Sequence, residues 1–141
     1  MMVDIENSFS NLVVGVTAII LSQGRILLAK RAGALGFGCW ETPGGRLELG
    51  ETVLACAVRE TAEETGIMLS EEDFVSCGFT ESFFSAEKLH ALSLVVCTDL
   101  SDREVIPRRT EPEKLLTPWQ WFDLSNLPPN LFLPVRNFFD K

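Results

Sequence analysis

Three glutamates near the middle of the chain, Glu60, Glu63 and Glu64, stand at positions i, i+3 and i+4. On a helix that spacing puts their carboxylates on one face, with Cβ atoms about 5–6 Å apart. Left alone, the cluster repels itself and costs helix stability. A divalent cation turns the cost into a binding site, so the spacing points to metal-dependent chemistry. The plain alternative is a solvated acidic helix face.

The neighbouring residues have to supply that helix and its support. The pattern predicts a helix that begins near Glu51 or Thr52 and stops at Gly66, a glycine placed to end it. By the 3.6-residue period Leu54, Val58, Thr61 and Thr65 fall on one side, and the acids on another about 130° away. Ala55 and Ala62 keep a third side slim. The aliphatic side is expected to pack on a sheet, leaving the acids to face something else.

Strands for such a sheet are visible on both sides of the helix. Residues 12–21 are β-branched and almost continuously apolar, which suits a strand buried on both faces. Ser22-Gln23-Gly24 is a turn signal, and residues 25–31 follow as the second arm of a hairpin. Residues 32–38 contain three glycines and read as a mobile loop. Trp40-Glu41-Thr42 is a short extended piece halted by Pro43-Gly44-Gly45. Residues 74–84 and 89–100 predict two further strands, and residues 119–122 another. Prolines 107, 112 and 118 keep residues 102–118 irregular. Residues 134–139 predict a short closing helix with Pro134 in its first turn. The expected fold class is α/β, a mixed sheet between helices.

By its length of 141 residues, the chain is expected to form one domain, residues 1–141. A formal net charge of −8 argues against a partner that is polymeric nucleic acid, which needs basic stripes. The acidity is concentrated: residues 41–73 hold nine acids against two bases. A small anionic substrate stays compatible with this, because bound Mg²⁺ inverts the local field. Cys39, Cys56, Cys77 and Cys97 form no CxxC pair, and His90 is the single histidine, which argues against a structural zinc site. They are expected to be buried thiols in a reducing cytoplasm. The start, MMVDIENSF, lacks the basic region of a leader, and residues 12–21 are far short of the ~20 apolar residues of a membrane span. A soluble, cytoplasmic protein with no membrane partner is expected.

The stretch from Gly45 to Ile67 resembles the signature of the Nudix hydrolases: Gly45, Glu51, Arg59-Glu60, Thr61, Glu63-Glu64, Gly66 and Ile67 stand at that signature's spacing. One slot departs. Thr61 occupies a place where an aliphatic is usual, and its β-branched shape is expected to preserve packing. The approach, Trp40-Glu41-Thr42-Pro43-Gly44-Gly45, and the later Glu111-Pro112-Glu113-Lys114 and Trp119-Gln120-Trp121, are similar to the nucleotide diphosphatases of the 8-oxo-dGTP and thiopurine-nucleotide type. Leu133 departs from those enzymes, which tend to carry a tryptophan there.

The resemblance implies a Nudix α-β-α sandwich and a Mg²⁺-dependent (or Mn²⁺-dependent) nucleoside triphosphate diphosphatase that releases monophosphate and pyrophosphate. It implies Glu60, Glu63, Glu64 and the Gly44 carbonyl as metal ligands, and Arg59 as a brace on Glu60 or Glu51 through a bidentate salt bridge. The general base is expected to be Glu64, or Glu111 or Glu113. Arg46 is expected at a substrate phosphate. Phe132 is expected to stack on the nucleobase, with Phe37 or Leu35 as alternates, and His90 to be a hydrogen-bonded strand residue. The alternatives are hydrolysis of a non-nucleotide diphosphate such as an isoprenyl diphosphate, and a silent ligand sensor. The intact glutamate set argues against the sensor. A homodimer is expected by the same likeness, with three tryptophans and ten phenylalanines as interface material.

Overall fold

The computed structural model describes residues 9–140. Residues 1–8, most of the segment judged to lack a leader, lie outside them, as does Lys141. Strand β1 (Asn11–Ser22) is the axis of the sheet. Gln23 and Gly24, at φ 53° and 73°, turn the chain into β2 (Arg25–Lys30), with Leu21 opposite Ile26. Positive φ at both turn positions matches the twist of the strands, so the expected hairpin forms.

It forms only at its closed end. Farther along, β1 leaves β2 and pairs antiparallel with β4 (Gly44–Arg46). There β2 takes up β3 (Trp40–Glu41) instead, while β7 (Gln120–Asp123) pairs with Arg25–Leu28 beside the closed end of the hairpin. Along the other side of β1 runs β6 (Leu89–Asp99), parallel to it, and β5 (Val75–Phe84) pairs antiparallel with β6. The sheet is therefore mixed, in the order β3-β2-β1-β6-β5 with β4 against β1 and β7 against β2.

Side-chain alternation sorts the strands into two cores. Val16, Ala18 and Ile20 of β1 join Leu27, Ala29 and Val96 on one face. Ile19, Ile26, Leu28 and Val95 form the other. Helix α1 (Val53–Thr65) covers the first through Cys56 and Ala57. Helix α2 (Leu133–Phe139) covers the second with Phe138 and Phe139. This is the α-β-α sandwich, and it covers both faces of β1 over Val16–Ile20, while Leu12 near the start of the strand stays exposed.

Thr52 caps α1 by accepting a hydrogen bond from the Ala55 N–H at 3.1 Å, and Gly66 ends it at φ 74°. The buried seam of the helix differs in part from expectation. Cys56, Ala57, Thr61 and Thr65 are buried, while Leu54 and Val58 flank them half-buried. Small residues at the line of contact let the helix approach the sheet closely, and the larger side chains straddle it. Thr61 packs as an aliphatic would, fully buried with its hydroxyl unpaired.

The cysteines depart from expectation. Cys77 and Cys97 are joined by a disulfide across β5 and β6, with Cα atoms 6.3 Å apart. A separation of 20 residues says nothing about pairing; the strands set Val75 opposite Cys97, and the irregularity between Ser76 and Gly78 leaves Cys77 within reach of it. Cys39 and Cys56 are free thiols, and burial pushes that of Cys56 up to about 12. The expectation of four buried thiols therefore does not hold at Cys77 and Cys97. Among the described residues no helix is long and apolar enough to cross a membrane.

Candidate active site

The acidic face of α1 lies against the Gly44-Gly45 segment of β4, and the contact is close. A Cβ on Gly45 would lie 2.4 Å from the Glu60 carboxyl carbon. The Gly44 N–H donates to Glu64 Oε1 at 2.8 Å. Glycine at both positions lets backbone, rather than a side chain, meet the carboxylates.

Arg59 organises the rest of the face. Its Nε and Nη2 grip Glu51 at 2.7 and 2.9 Å, and its Nη1 donates to Glu60 at 2.7 Å. Glu63 lies 3.5 Å from the same Nη1. The brace expected of Arg59 is thus present on both of its possible partners. The hydrogen bond from Arg59 holds the Glu51 carboxyl down to about 2. Glu60 is pushed up, by burial first, with Arg59 opposing and Glu63 adding to the shift.

Glu64 is the most perturbed acid of the face. Burial raises it to about 9 against the Gly44 hydrogen bond, and Glu41, Glu60 and Glu111 push in the same direction. Glu111 pairs one oxygen with Lys114 at 3.1 Å, while its Oε1 is buried without a partner. Glu113, the other candidate from that loop, is exposed.

Among the described residues, no three acid, cysteine or histidine side chains converge tightly enough to hold an ion as they stand. The reason is visible: Arg59 draws Glu60 and Glu63 to itself, and Gly44 draws Glu64. The donor set still fits a hard divalent cation. It consists of oxygens, it sits on one helix face, and a buried carboxylate such as Glu64 needs either a proton or a cation.

Beside this face opens a cavity of about 170 Å³. Arg46, Thr17, Ser93 and the Gly44-Gly45 backbone give it polar walls; Leu35, Phe84 and Phe132 give it apolar ones. The ring of Phe132 lies 5.6 Å from that of Phe84 and carries the Arg31 guanidinium at 4.0 Å. The structure therefore brings Arg46 and Phe132 to one cavity, with Leu35. Phe37 is 64% exposed and does not line it. His90 lies outside it too, stacked on Phe83 and 3.0 Å from Glu81.

One residue of the cavity wall and its partner are not singled out by the sequence. Glu41 lines the wall half-buried, its carboxyl raised by burial and opposed by a salt bridge from Arg31. Arg31 also donates through Nε to the Leu35 carbonyl at 2.8 Å. An acid placed between a tryptophan and a Thr-Pro-Gly-Gly turn was the available signal. Nothing in the sequence pointed to Arg31 as its partner.

An α-β-α sandwich with a braced glutamate helix at the mouth of a cavity defines the class, a hydrolase-type fold with a carboxylate-rich centre. The family model described as the NUDIX domain matches residues 11–141, and the chain belongs to that family. It is 34% identical over 119 residues to the ADP-ribose pyrophosphatase of Methanocaldococcus jannaschii, covering 84% of this chain and 66% of that protein. It is 31% identical to an m7GpppN-mRNA hydrolase of Xenopus laevis, covering 78% of this chain but 41% of that one. The chain thus spans less than two thirds of either relative. The crystal structure of a MutT NUDIX hydrolase from Burkholderia pseudomallei superimposes with a TM-score of 0.82 at 31% identity, covering 93% of this chain and 98% of the other. These findings show the family; the narrower likeness to 8-oxo-dGTP-type enzymes rests on the sequence resemblance alone.

Proposed function

We propose that this protein is a metal-dependent hydrolase of a nucleotide-derived diphosphate, and that its substrate is a nucleoside triphosphate, canonical or oxidised. The observation that carries the reading is the direct junction of the acidic face of α1 with the cavity at Gly44-Gly45. A diphosphate laid along the acids leaves its nucleoside beside Phe132.

Glu60, Glu63, Glu64 and the Gly44 carbonyl would hold Mg²⁺ or Mn²⁺. Such an ion, when bound, neutralises diphosphate charge and acidifies water. Arg59 keeps Glu60 and Glu51 in one orientation through its fork of donors. Glu111, with a buried free oxygen, accepts the proton of the attacking water; the exposure of Glu113 argues against it in this role. Arg46, exposed at the rim of the cavity, meets a phosphate oxygen. Phe132 stacks on the base, held in place by Arg31 and Phe84.

The identity to a protein named ADP-ribose pyrophosphatase supports a second reading, in which the second nucleoside half lies outside the cavity. Pyrophosphate or phosphate release should be measured over dNTPs, oxidised dNTPs, ADP-ribose and geranyl diphosphate, with and without Mg²⁺. Turnover of triphosphates with pyrophosphate as product is expected. Preference for ADP-ribose would shift the reading to the second substrate, and silence on all of them would leave a ligand sensor.

A further inference from the structure

The last turn of any α-helix leaves carbonyl oxygens without an intrahelical partner. In α1 they belong to Ala62, Glu63, Glu64 and Thr65, so two of the four come from the acidic face. The Gly66 N–H reaches back to the Ala62 carbonyl at 3.0 Å. The next three carbonyls are all taken by the irregular segment of residues 108–119. The Thr110 hydroxyl donates to the Glu63 carbonyl. The Trp119 indole N–H donates to the Glu64 carbonyl at 2.9 Å. The Arg108 N–H donates to the Thr65 carbonyl at 2.7 Å.

This segment also carries Glu111. Its far end is tied to β2, where the Leu116 N–H donates to the Lys30 carbonyl at 2.8 Å and the Ala32 N–H to the Lys114 carbonyl at 2.9 Å. Across the turn between, Arg109 donates to the carbonyls of Pro112 and Leu115. Prolines keep most of the segment out of regular structure, and beyond one 3-10 turn at Pro112–Lys114 and the bridge of Leu115 to Arg31 its position comes from these ties. Of the ties to α1, that of Thr110 is next in sequence to Glu111 and is made by a side chain that can be altered alone.

We propose that Thr110 is a positioning residue: by bonding the Glu63 carbonyl it fixes the adjacent Glu111 against Glu64, so that the acid from the loop and the acids from α1 act as one centre. The inference rests on the reading of Glu111 given above. Thr110 is an exposed residue and touches no part of the cavity wall. Its effect on the reaction passes entirely through the place it gives Glu111.

The experiment compares Thr110→Val, Thr110→Ser, Glu111→Gln and the double variant Thr110→Val/Glu111→Gln under saturating Mg²⁺. Thermal melts without metal run alongside. Thr110→Val is expected to lower kcat roughly tenfold to a hundredfold, the cost of a misplaced group, with KM within about twofold. Thr110→Ser, which keeps the hydroxyl, is expected to restore kcat to within about threefold of the parent and to melt with it. The double variant is expected to be no slower than Glu111→Gln alone, because the two changes remove the same contribution. A fully active Thr110→Val beside an impaired Glu111→Gln overturns the brace and leaves Glu111 standing. A loss in Thr110→Val that serine fails to rescue, or that adds to the loss from Glu111→Gln, overturns it also. An unimpaired Glu111→Gln removes the role of Glu111 itself, and the brace with it.

Discussion

Arg59 grips Glu51 with two donors at once, Nε at 2.7 Å and Nη2 at 2.9 Å, while a third nitrogen holds Glu60 at 2.7 Å. One guanidinium thereby fixes an acid outside the helix and an acid on it in a single plane. A lysine keeps the charge and loses the fork. Arg59→Lys is expected to lower kcat by about 10- to 100-fold, the range for groups that orient metal ligands, with a near-parent melting temperature. A rate close to that of the parent would show that charge alone suffices.

The two glycines of β4 should respond differently to alanine. At Gly44 the added Cβ meets the Val16 carbonyl oxygen at 2.2 Å, a clash with backbone inside the sheet. At Gly45 the nearest atoms it meets are the carboxylate end of Glu60. Gly44→Ala is expected to destabilise the fold by about 1–3 kcal/mol, as overpacking does. Gly45→Ala is expected to retain the melting temperature and lose most activity, because the displaced group is a flexible acid of the site. Equal loss of stability in the two variants would contradict the difference in what they strike.

The metal-free protein should lose stability as the medium becomes alkaline. Burial holds Glu64 at about 9 in the fold, against 4.5 for an ordinary glutamate. Its contribution is fully present below about 4.5 and is lost as pH rises toward 9, because the unfolded chain gives up that proton first. Burial displaces Glu41 and Glu60 in the same direction. Melting temperatures in EDTA are therefore expected to fall between pH 5 and pH 9, and Glu64→Gln to flatten the slope. Added Mg²⁺ is expected to raise the melting temperature more at the alkaline end, where the ligands are deprotonated. An unchanged slope in Glu64→Gln would assign the effect to other groups.

Phe132 should act on binding more than on chemistry. It walls the cavity and lies under Arg31, away from the acids. Phe132→Ala is expected to raise KM by roughly 10-fold, the loss of about 1.4 kcal/mol of aromatic contact, with kcat changed less. Substitution of the exposed Phe37 is expected to leave both constants alone. Steady-state kinetics on the best substrate of the panel separates the two.

Much of this molecule is legible in one dimension because its signals are local. The period of α1, its cap at Thr52 and its stop at Gly66 each depend on residues within a turn or two, and so does the tight turn at Gln23-Gly24. The i, i+3, i+4 spacing alone places three acids on one face, and the apolar run of β1 announces a strand covered on both sides. What the chain order could not disclose are the meetings of distant segments. The parallel pairing of β1 with β6, the Cys77–Cys97 bridge, the pairing of Arg31 with Glu41 and the seating of residues 108–119 on the end of α1 all arise from packing. Local propensity has no information on such contacts, since their energy exists only once the two cores have closed and water has left the groups between them.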